Sequence, residues 1–177
     1  NKLFKKYYID GPKLIAQQCS RLKVEKLVHI SSVGVDSETI SIYSKSKPRG
    51  EEKIIEAFTN VAIVRPSLIF GHEDRFFNRW ASLASFSLVI PLIGKDTRFQ
   101  PVYVDDVAQA VEKIVLGEKL LGVFELGGPE VFTFEDLVKK TLNVIRRKRL
   151  ILNIPFSPAI FMAMIFEIIH KISLGLA

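Results

Sequence analysis

The chain has 177 residues, of which 48% are hydrophobic and 25% are charged, and its formal net charge is +6. This composition excludes a disordered chain, the length suffices for one folded domain, and the single cysteine, Cys19, excludes an internal disulfide. The basic balance favours an anionic partner, whether a nucleotide, a lipid surface or a nucleic acid. The chain begins without Met, and we expect it to be the interior of a longer protein.

The pattern along the chain predicts alternating helices and strands. The first strands, at 27 to 32 and 61 to 67, are apolar throughout rather than at every second residue, which is typical of a parallel sheet covered on both faces. The class is therefore α/β. The predicted helices span residues 10 to 22, 44 to 58, 75 to 86, 105 or 106 to 116, and 133 to 147. Asp10 is the predicted N-cap of the first helix, and Thr133 with Asp136 forms a capping box at the start of the last of these. A further, apolar helix begins at Ser157 and Pro158. The other extended segments are 99 to 104, 122 to 128 and 149 to 155.

Polar residues end the first two strands, and a tyrosine and a lysine follow on the next helix. Ser31 and Ser32 end the first strand, and Pro66-Ser67 ends the second. Ligands of such sheets bind beyond the carboxyl ends of the strands. Tyr43 and Lys47 are four positions apart and share a helix face, where the ammonium would lower the pKa of the phenol. A solvated turn rich in Ser and Lys is the alternative for this pair.

A set of motifs in fixed order carries a resemblance to a known family. The motifs are HISSVG, YSKSK, GEE, VRPSLIFG, QPVYVDDVAQAV, FELGGPE and TFEDL, within about residues 5 to 160. They resemble the extended short-chain dehydrogenase/reductases, in the atypical branch that contains the nucleotide-binding accessory subunit of respiratory complex I and its bacterial relatives. The resemblance implies a Rossmann-type parallel sheet whose first strands lie upstream, with the Rossmann part at about 1 to 128 and a small C-terminal helical and extended lobe at about 129 to 177.

The same resemblance implies a role for each matching residue. Ser32, or its neighbour Ser31, would hydrogen-bond the substrate and the tyrosine, and Tyr43 would be the general acid or base. Lys47 would bond the ribose of NADP(H) or NAD(H). The loop formed by Pro66, Ser67, Leu68 and Ile69 would lie along the nicotinamide.

Two departures from the family pattern affect these roles. The glycine-rich turn that binds the pyrophosphate has no counterpart, and we expect it upstream of residue 1. Pro48 directly follows Lys47, disfavours helical geometry at the lysine, and predicts a kink one turn into a helix that begins at Tyr43 or Ser44.

Three functions follow as hypotheses. The first is an NAD(P)(H)-binding accessory protein in which the nucleotide is structural, and the second is an active oxidoreductase or sugar-nucleotide epimerase or dehydratase that uses Ser32, Tyr43 and Lys47. The third is a remnant without a working nucleotide site. We expect no metal site, because His29, His72 and His170 lack ligand spacing and Asp105 with Asp106 suits a helix start.

A basic cluster near the C-terminus predicts an attachment surface. Arg146, Arg147, Lys148 and Arg149 precede the apolar helix from Ser157, which is too short for a confident bilayer span. The expected partners are complex I subunits or an anionic membrane surface, and nucleic acid is disfavoured because no aromatic platform accompanies the cluster. The resemblance places such a protein at the cytoplasmic face of a bacterial inner membrane or the matrix side of the mitochondrial one. The alternatives are a solvated helix end for the cluster and burial for the apolar helix.

Overall fold

The structure, a computed structural model, describes residues 2 to 34, 42 to 117 and 120 to 156, with only the backbone of residues 42 to 44. The chain forms two compact units, one from Asn1–Gly71 and Gln100–Glu130, the other from His72–Phe99 and Val131–Ala177. The sequence places the lobe boundary near residue 128, whereas the second unit also takes in residues 72 to 99. The predicted helix from Ser157 lies outside the described residues.

The helices and strands follow each other closely along both units. The helices are α1 Lys2–Lys5, α2 Gly11–Arg21, α3 Ile42–Ala57, α4 Arg75–Phe86, α5 Val104–Leu116 and α6 Phe134–Val144, with a π-helical turn at Lys6–Asp10 between α1 and α2. The strands are β1 Leu27–Ile30, β2 Val61–Pro66, β3 Ile69–Phe70, β4 Val89–Ile93, β5 Arg98–Phe99, β6 Val102–Tyr103, β7 Gly122–Leu126, β8 Phe132–Thr133 and β9 Leu150–Ile154.

The first unit is organised around a three-stranded parallel sheet in the order β1-β2-β7. Alternate side chains of the central strand β2 enter two different cores. Val61 and Ile63 pack in a cluster with residues of α2 and α3, whereas Ala62 and Val64 pack in another with a residue of α5. The sheet is therefore covered by helices on both faces, which explains why β2 is apolar at consecutive positions. The predicted α/β, Rossmann-type class is confirmed.

The second unit contains a strand pair that the sequence did not predict. Strand β4 pairs in parallel with β9, from Val89 opposite Leu150 to Ile93 opposite Ile154. On one face of this pair, Ile90 and Leu92 are fully buried in a cluster with residues of α4 and α6. The opposite face is apolar and exposed, with side chains of both strands facing away from that core. A separate antiparallel pair joins β5 to β8.

The two helix caps that the sequence assigned to aspartates differ from the structure. Asp10 has helical backbone angles and its side chain makes no capping hydrogen bond, because the π-helical turn continues into α2. Tyr103, not an aspartate, precedes α5, and Asp105 and Asp106 lie within its first turn. Carboxylates there still favour the helix through its dipole. Asp74 is a true cap, since its carboxylate accepts a 2.6 Å hydrogen bond from the Phe77 N–H at the start of α4.

The capping box at the start of α6 is confirmed and supplies a first prediction. The Asp136 N–H donates to the Thr133 hydroxyl at 3.1 Å, and the Thr133 N–H donates back to the Asp136 carboxylate at 3.2 Å. The helix ends at Val144 rather than at Arg147. We expect Thr133→Ala to lower the free energy of unfolding by about 1 kcal/mol, measured by urea denaturation, because one helix N–H loses its acceptor. Thr133→Ser keeps the hydroxyl and should retain most of this energy, and equal losses in both variants would contradict the capping role.

Candidate functional site

The two serines lie where β1 leaves the sheet. The Ser31 N–H donates to the Val64 carbonyl at 2.7 Å, and the Val33 N–H donates to the Pro66 carbonyl at 3.1 Å, so the strand ladder continues past the end of β1. Ser31 is 5% exposed, and its hydroxyl oxygen is buried without a hydrogen-bond partner among the described residues. A buried hydroxyl without a partner is costly, so this atom is suited to bond a ligand group. Ser32 is half-buried.

Helix α3 carries Tyr43 and Lys47 on consecutive turns. The helix begins by Ile42 and continues through Pro48, so Lys47 is helical despite the proline that follows it, contrary to the expectation from that dipeptide. The side chain of Tyr43 lies outside what the structure describes, but its helical backbone places it four residues before Lys47 and therefore on the same face. Lys47 is half-buried, and its ammonium nitrogen lies 5.8 Å from the centre of the Tyr8 ring.

One turn beyond Lys47, a buried ion pair joins α3 to the sheet. Glu51 is 3% exposed and accepts hydrogen bonds from Arg65 of β2, from Nε at 3.2 Å and from Nη2 at 2.5 Å. A longer contact of 3.4 Å links the same guanidinium to Glu125 of β7, whose side chain is 62% exposed. The hydrogen bonds to Glu51 are the main cause of the raised pKa of Arg65. The guanidinium is thus fixed between the helix and two strands.

His29 completes a polar layer between α3 and the sheet. It faces the same side of β1 as Leu27, which packs against the cluster shared by α2 and α3. Burial lowers the pKa of His29, the Glu51 carboxylate acts in the opposite direction, and the Lys47 ammonium lowers it further. Ser31 follows His29 by two residues in the continued strand ladder and therefore lies on the same face of β1. We define the polar layer as His29, Ser31, Lys47, Glu51 and Arg65.

The shifted histidine predicts a pH dependence of stability. The pKa of His29 lies below its ordinary value of 6.5 in the folded chain, so below that pH the unfolded chain binds the proton more readily. The stability contributed by neutral His29 is therefore present above pH 6.5 and is lost as the pH falls below it. We expect His29→Gln, compared with wild type in urea denaturation at several pH values, to lose less stability on acidification. Identical losses in the two proteins would contradict this assignment.

The loop after β2 is held by backbone hydrogen bonds. The Ser67 N–H donates to the Leu126 carbonyl at 2.8 Å, and the Leu68 carbonyl accepts from the Val102 N–H at 2.9 Å. Pro66 is buried, whereas Ser67, Leu68 and Ile69 are half-buried. The loop therefore has a defined position at the carboxyl end of the sheet, beside the end of β1, where Ser31 lies. All the candidate site residues belong to the first unit.

The sequence analysis did not identify two members of the polar layer, Glu51 and Arg65, as part of the site. A signal for Glu51 was present, because it follows Tyr43 and Lys47 at the same spacing of four and so lies on the same helix face. A signal for Arg65 was present as well, since a charged residue in the apolar run VAIVRP needs a partner if the strand is buried.

Among the described residues, no group of His, Cys, Asp or Glu has an arrangement that could hold a metal ion. No helix in that part of the chain is long and apolar enough to cross a bilayer.

Comparison with known proteins decides the family. The model of the RmlD substrate binding domain matches residues 5 to 157. The chain belongs to the RmlD substrate binding domain family. Among solved members of this fold, the dTDP-4-dehydrorhamnose reductase of Bacillus anthracis in complex with NADP matches with a TM-score of 0.76 and 22% identity, covering 87% of this chain and 60% of that one. The dTDP-glucose 4,6-dehydratase DesIV of Streptomyces venezuelae, with NAD bound, has a TM-score of 0.75 and 18% identity over 86% and 54% of the two chains.

Two of the curated relatives of this RmlD-family chain are subunits of a respiratory enzyme. The mitochondrial NADH-ubiquinone oxidoreductase 40 kDa subunit of Neurospora crassa is 30% identical over 156 residues, which are 88% of this chain and 41% of that protein. The mitochondrial NADH dehydrogenase [ubiquinone] 1 alpha subcomplex subunit 9 of Mus musculus is 33% identical over 81% of this chain and 39% of that protein. The resemblance to the complex I branch is confirmed, and the chain spans about two fifths of the length of these relatives.

Proposed function

We propose that this chain is the nicotinamide side of an NAD(P)(H)-binding accessory protein of respiratory complex I, in which the nucleotide has a structural role. The observation that carries the proposal is the buried Ser31 hydroxyl at the end of β1, for which no hydrogen-bond partner lies among the described residues. The names of the curated relatives supply the complex, and the solved relatives with bound NADP or NAD supply the ligand class.

In this proposal each residue has a distinct task at the ligand. Lys47 donates to the ribose hydroxyls, because its ammonium has three donors and a fixed stem on α3. Ser31 or Ser32 bonds the polar edge of the ligand, and the loop from Pro66 to Ile69 covers the nicotinamide with backbone and apolar groups. A bound dinucleotide would supply a hydride donor or acceptor at this site.

The second candidate function is an active oxidoreductase or epimerase. The retained Tyr43, one turn before Lys47, favours it, because a phenol beside an ammonium exchanges a proton near neutral pH more readily than an isolated one. Tyr43 would then give a proton to, or take it from, a substrate hydroxyl or carbonyl oxygen. The serine hydroxyl would hold that oxygen and Lys47 would keep the phenol in its reactive state.

Two substitutions in the full-length protein test both candidates. We expect Lys47→Ala to weaken NADPH binding by about 1.5–3 kcal/mol, because a hydrogen bond from a charged donor is lost. Tyr43→Phe should leave the affinity almost unchanged, since the phenol has no ribose bond to lose. Titration of NADPH, followed by protein fluorescence, measures both, with NADH in parallel.

The outcomes of this titration separate the hypotheses. Equal weakening by Tyr43→Phe and Lys47→Ala would contradict the assigned roles, and no binding to wild type would favour the remnant without a nucleotide site. If wild type reduces or oxidises a substrate, Tyr43→Phe should abolish turnover. A Tyr43→Phe protein that turns over as fast as wild type excludes the enzymatic candidate.

We further propose that the second unit attaches the protein to complex I subunits at an anionic membrane surface. Arg146, Arg147 and Lys148 are exposed just after the end of α6, and the exposed apolar residues Val144 and Leu150 flank them. Arg149 differs, because its Nε donates a 2.8 Å hydrogen bond to the Ala84 carbonyl of α4. We therefore define the attachment surface as Arg146, Arg147 and Lys148 with the apolar residues Val144 and Leu150, and leave Arg149 out of the predicted basic cluster. Such a protein would lie on the matrix side of the mitochondrial inner membrane or at the cytoplasmic face of a bacterial one.

A further inference from the structure

Helix α3 is held against the first unit from two directions, and both contacts lie within one turn of Lys47. On the sheet side, Glu51 is bound by the Arg65 guanidinium. On the other side, Gly50 lies so close to the chain before α2 that a Cβ at this position would overlap the carbonyl oxygen of Tyr8. The ring of the same Tyr8 lies under the Lys47 ammonium. Neither contact is made by the residues that would touch a ligand.

The ion pair has a directional geometry that apolar packing lacks. Arg65 presents Nε and Nη2 to Glu51, which is the fork arrangement that fixes both the distance and the rotation of a carboxylate. The backbone of Arg65 is itself held in place, because Arg65 lies in the parallel ladder of β2 opposite Glu125 of β7. A buried ion pair adds little stability beyond what apolar side chains of similar size would give. Its specific effect is therefore on the position of α3.

Helix geometry transmits this position to the site. Tyr43, Lys47 and Glu51 are spaced by four residues and form one stripe along α3. Lys47 lies one turn, about 5.4 Å along the helix axis, from Glu51. A slide or rotation of the helix at Glu51 therefore moves the backbone of Lys47 with it. N–H···O hydrogen bonds have donor–acceptor distances of about 2.7–3.2 Å and prefer nearly linear geometry, so small displacements of the donor matter. The reach of the Lys47 ammonium toward a ribose therefore depends on the position of the turn that carries Glu51.

We propose that Glu51, held by Arg65, is a positioning residue for dinucleotide binding and acts through Lys47. This inference rests on the proposed function and adds to it the group that sets the orientation of α3. The close approach at Gly50 is the second support of the helix. The experiment is a double-mutant cycle in the full-length protein, with NADPH as the titrated probe.

The cycle compares Glu51→Gln in the wild-type and Lys47→Ala backgrounds. Glutamine keeps the size of the side chain and removes its charge, so Arg65 no longer fixes it as a fork. We expect Glu51→Gln to weaken NADPH binding about tenfold in wild type and less than about twofold once Lys47 is alanine, because the residue acts through that lysine. A purely structural role would give the same loss in both backgrounds, and that result would overturn the proposal.

Matched controls on the same helix separate positioning from general destabilisation. Ile54→Val trims a buried side chain of α3 and should lower the melting temperature while leaving NADPH affinity unchanged. Glu56→Gln removes the exposed ion pair with Lys53 and should change neither quantity. An affinity loss with Ile54→Val as large as that of Glu51→Gln would also overturn the proposal.

The remaining outcomes distinguish this inference from the proposed function. If wild type binds NADPH and Glu51→Gln binds it equally well, only the positioning role fails. If wild type does not bind any dinucleotide, the proposed function fails and the positioning role fails with it.

If Glu51→Gln does not fold, Arg65→Lys replaces it in the double-mutant cycle, because lysine keeps the positive charge and lacks the two parallel N–H donors of arginine. Gly50→Ala, which forces α3 away from Tyr8, is expected to weaken binding in the same Lys47-dependent manner.

Discussion

Arg65→Met is expected to lower the free energy of unfolding by about 3–5 kcal/mol, because it leaves the buried Glu51 carboxylate without its cation. Glu51 is 3% exposed, whereas the Arg65 side chain is 25% exposed, so the carboxylate is largely desolvated and the guanidinium is its main charged partner. Urea denaturation of this chain, followed by circular dichroism, measures the effect. The matched control is Glu125→Gln, which removes the exposed and longer contact of the same guanidinium and should cost only about 0–1 kcal/mol.

The double variant of Arg65→Met with Glu51→Met decides whether the cost arises from the unpaired charge. Two methionines can pack where the ion pair lay, and the replacement of a whole buried pair by apolar residues is often neutral or stabilising. We therefore expect the double variant to be more stable than Arg65→Met alone. A double variant as unstable as the single one would mean that the lost packing of the arginine stem, rather than the stranded carboxylate, causes the loss.

Neutralising Arg146, Arg147 and Lys148 to glutamine is expected to reduce binding to anionic vesicles roughly 100-fold. Each cation near such a surface contributes about 1 kcal/mol, and three together amount to about 3 kcal/mol. Arg149 stays unchanged in this variant, because its hydrogen bond to the Ala84 carbonyl ties the segment to α4. Sedimentation of the full-length protein with phosphatidylserine-containing and purely neutral vesicles measures the partition.

A second triple variant controls for net charge in the vesicle experiment. Lys2, Lys5 and Lys13 are exposed cations of the first unit, and changing them to glutamine alters the total charge by the same amount. We expect this variant to bind like wild type, apart from a weak long-range effect that salt screens. If the two triple variants lose affinity equally, binding follows net charge and the attachment surface is wrongly placed. If binding ignores lipid charge altogether, the electrostatic part of the proposal fails.

The candidate site residues could be selected from the sequence because their signals are local. The spacing of four between Tyr43 and Lys47, and the serines that end an apolar strand, are visible in a window of about twenty residues. The structure places Ser31 and Lys47 in one polar layer, whereas the roles assigned to them remain proposals. Arg65 could not be paired with Glu51 from sequence, because the two residues are fourteen positions apart, with the end of α3, a turn and most of β2 between them.

The sequence by itself determined most of the helices, the strands of the central sheet and the class of fold. Apolar runs at β1 and β2 indicated strands covered on both faces, and Thr133 with Asp136 located the start of α6, because burial and capping each act within a few residues. The ordered motifs were sufficient for the family. The predicted starts of α2 and α4 agree with the structure, but Asp10 makes no capping hydrogen bond, because the turn that precedes α2 is already helical.

Only the tertiary structure decided which elements meet. The pairing of β4 with β9 joins segments about sixty residues apart. Hydrophobic periodicity indicates which residues of a strand are buried, but it does not indicate which strand lies beside it. The same holds for residues 72 to 99, which join the second unit although they precede β7 in the chain. The position of α3 likewise depends on Gly50 meeting the Tyr8 carbonyl and Glu51 meeting Arg65, two contacts of close fit between distant segments. Close packing and buried charge pairing are properties of the folded arrangement, and no local pattern specifies them.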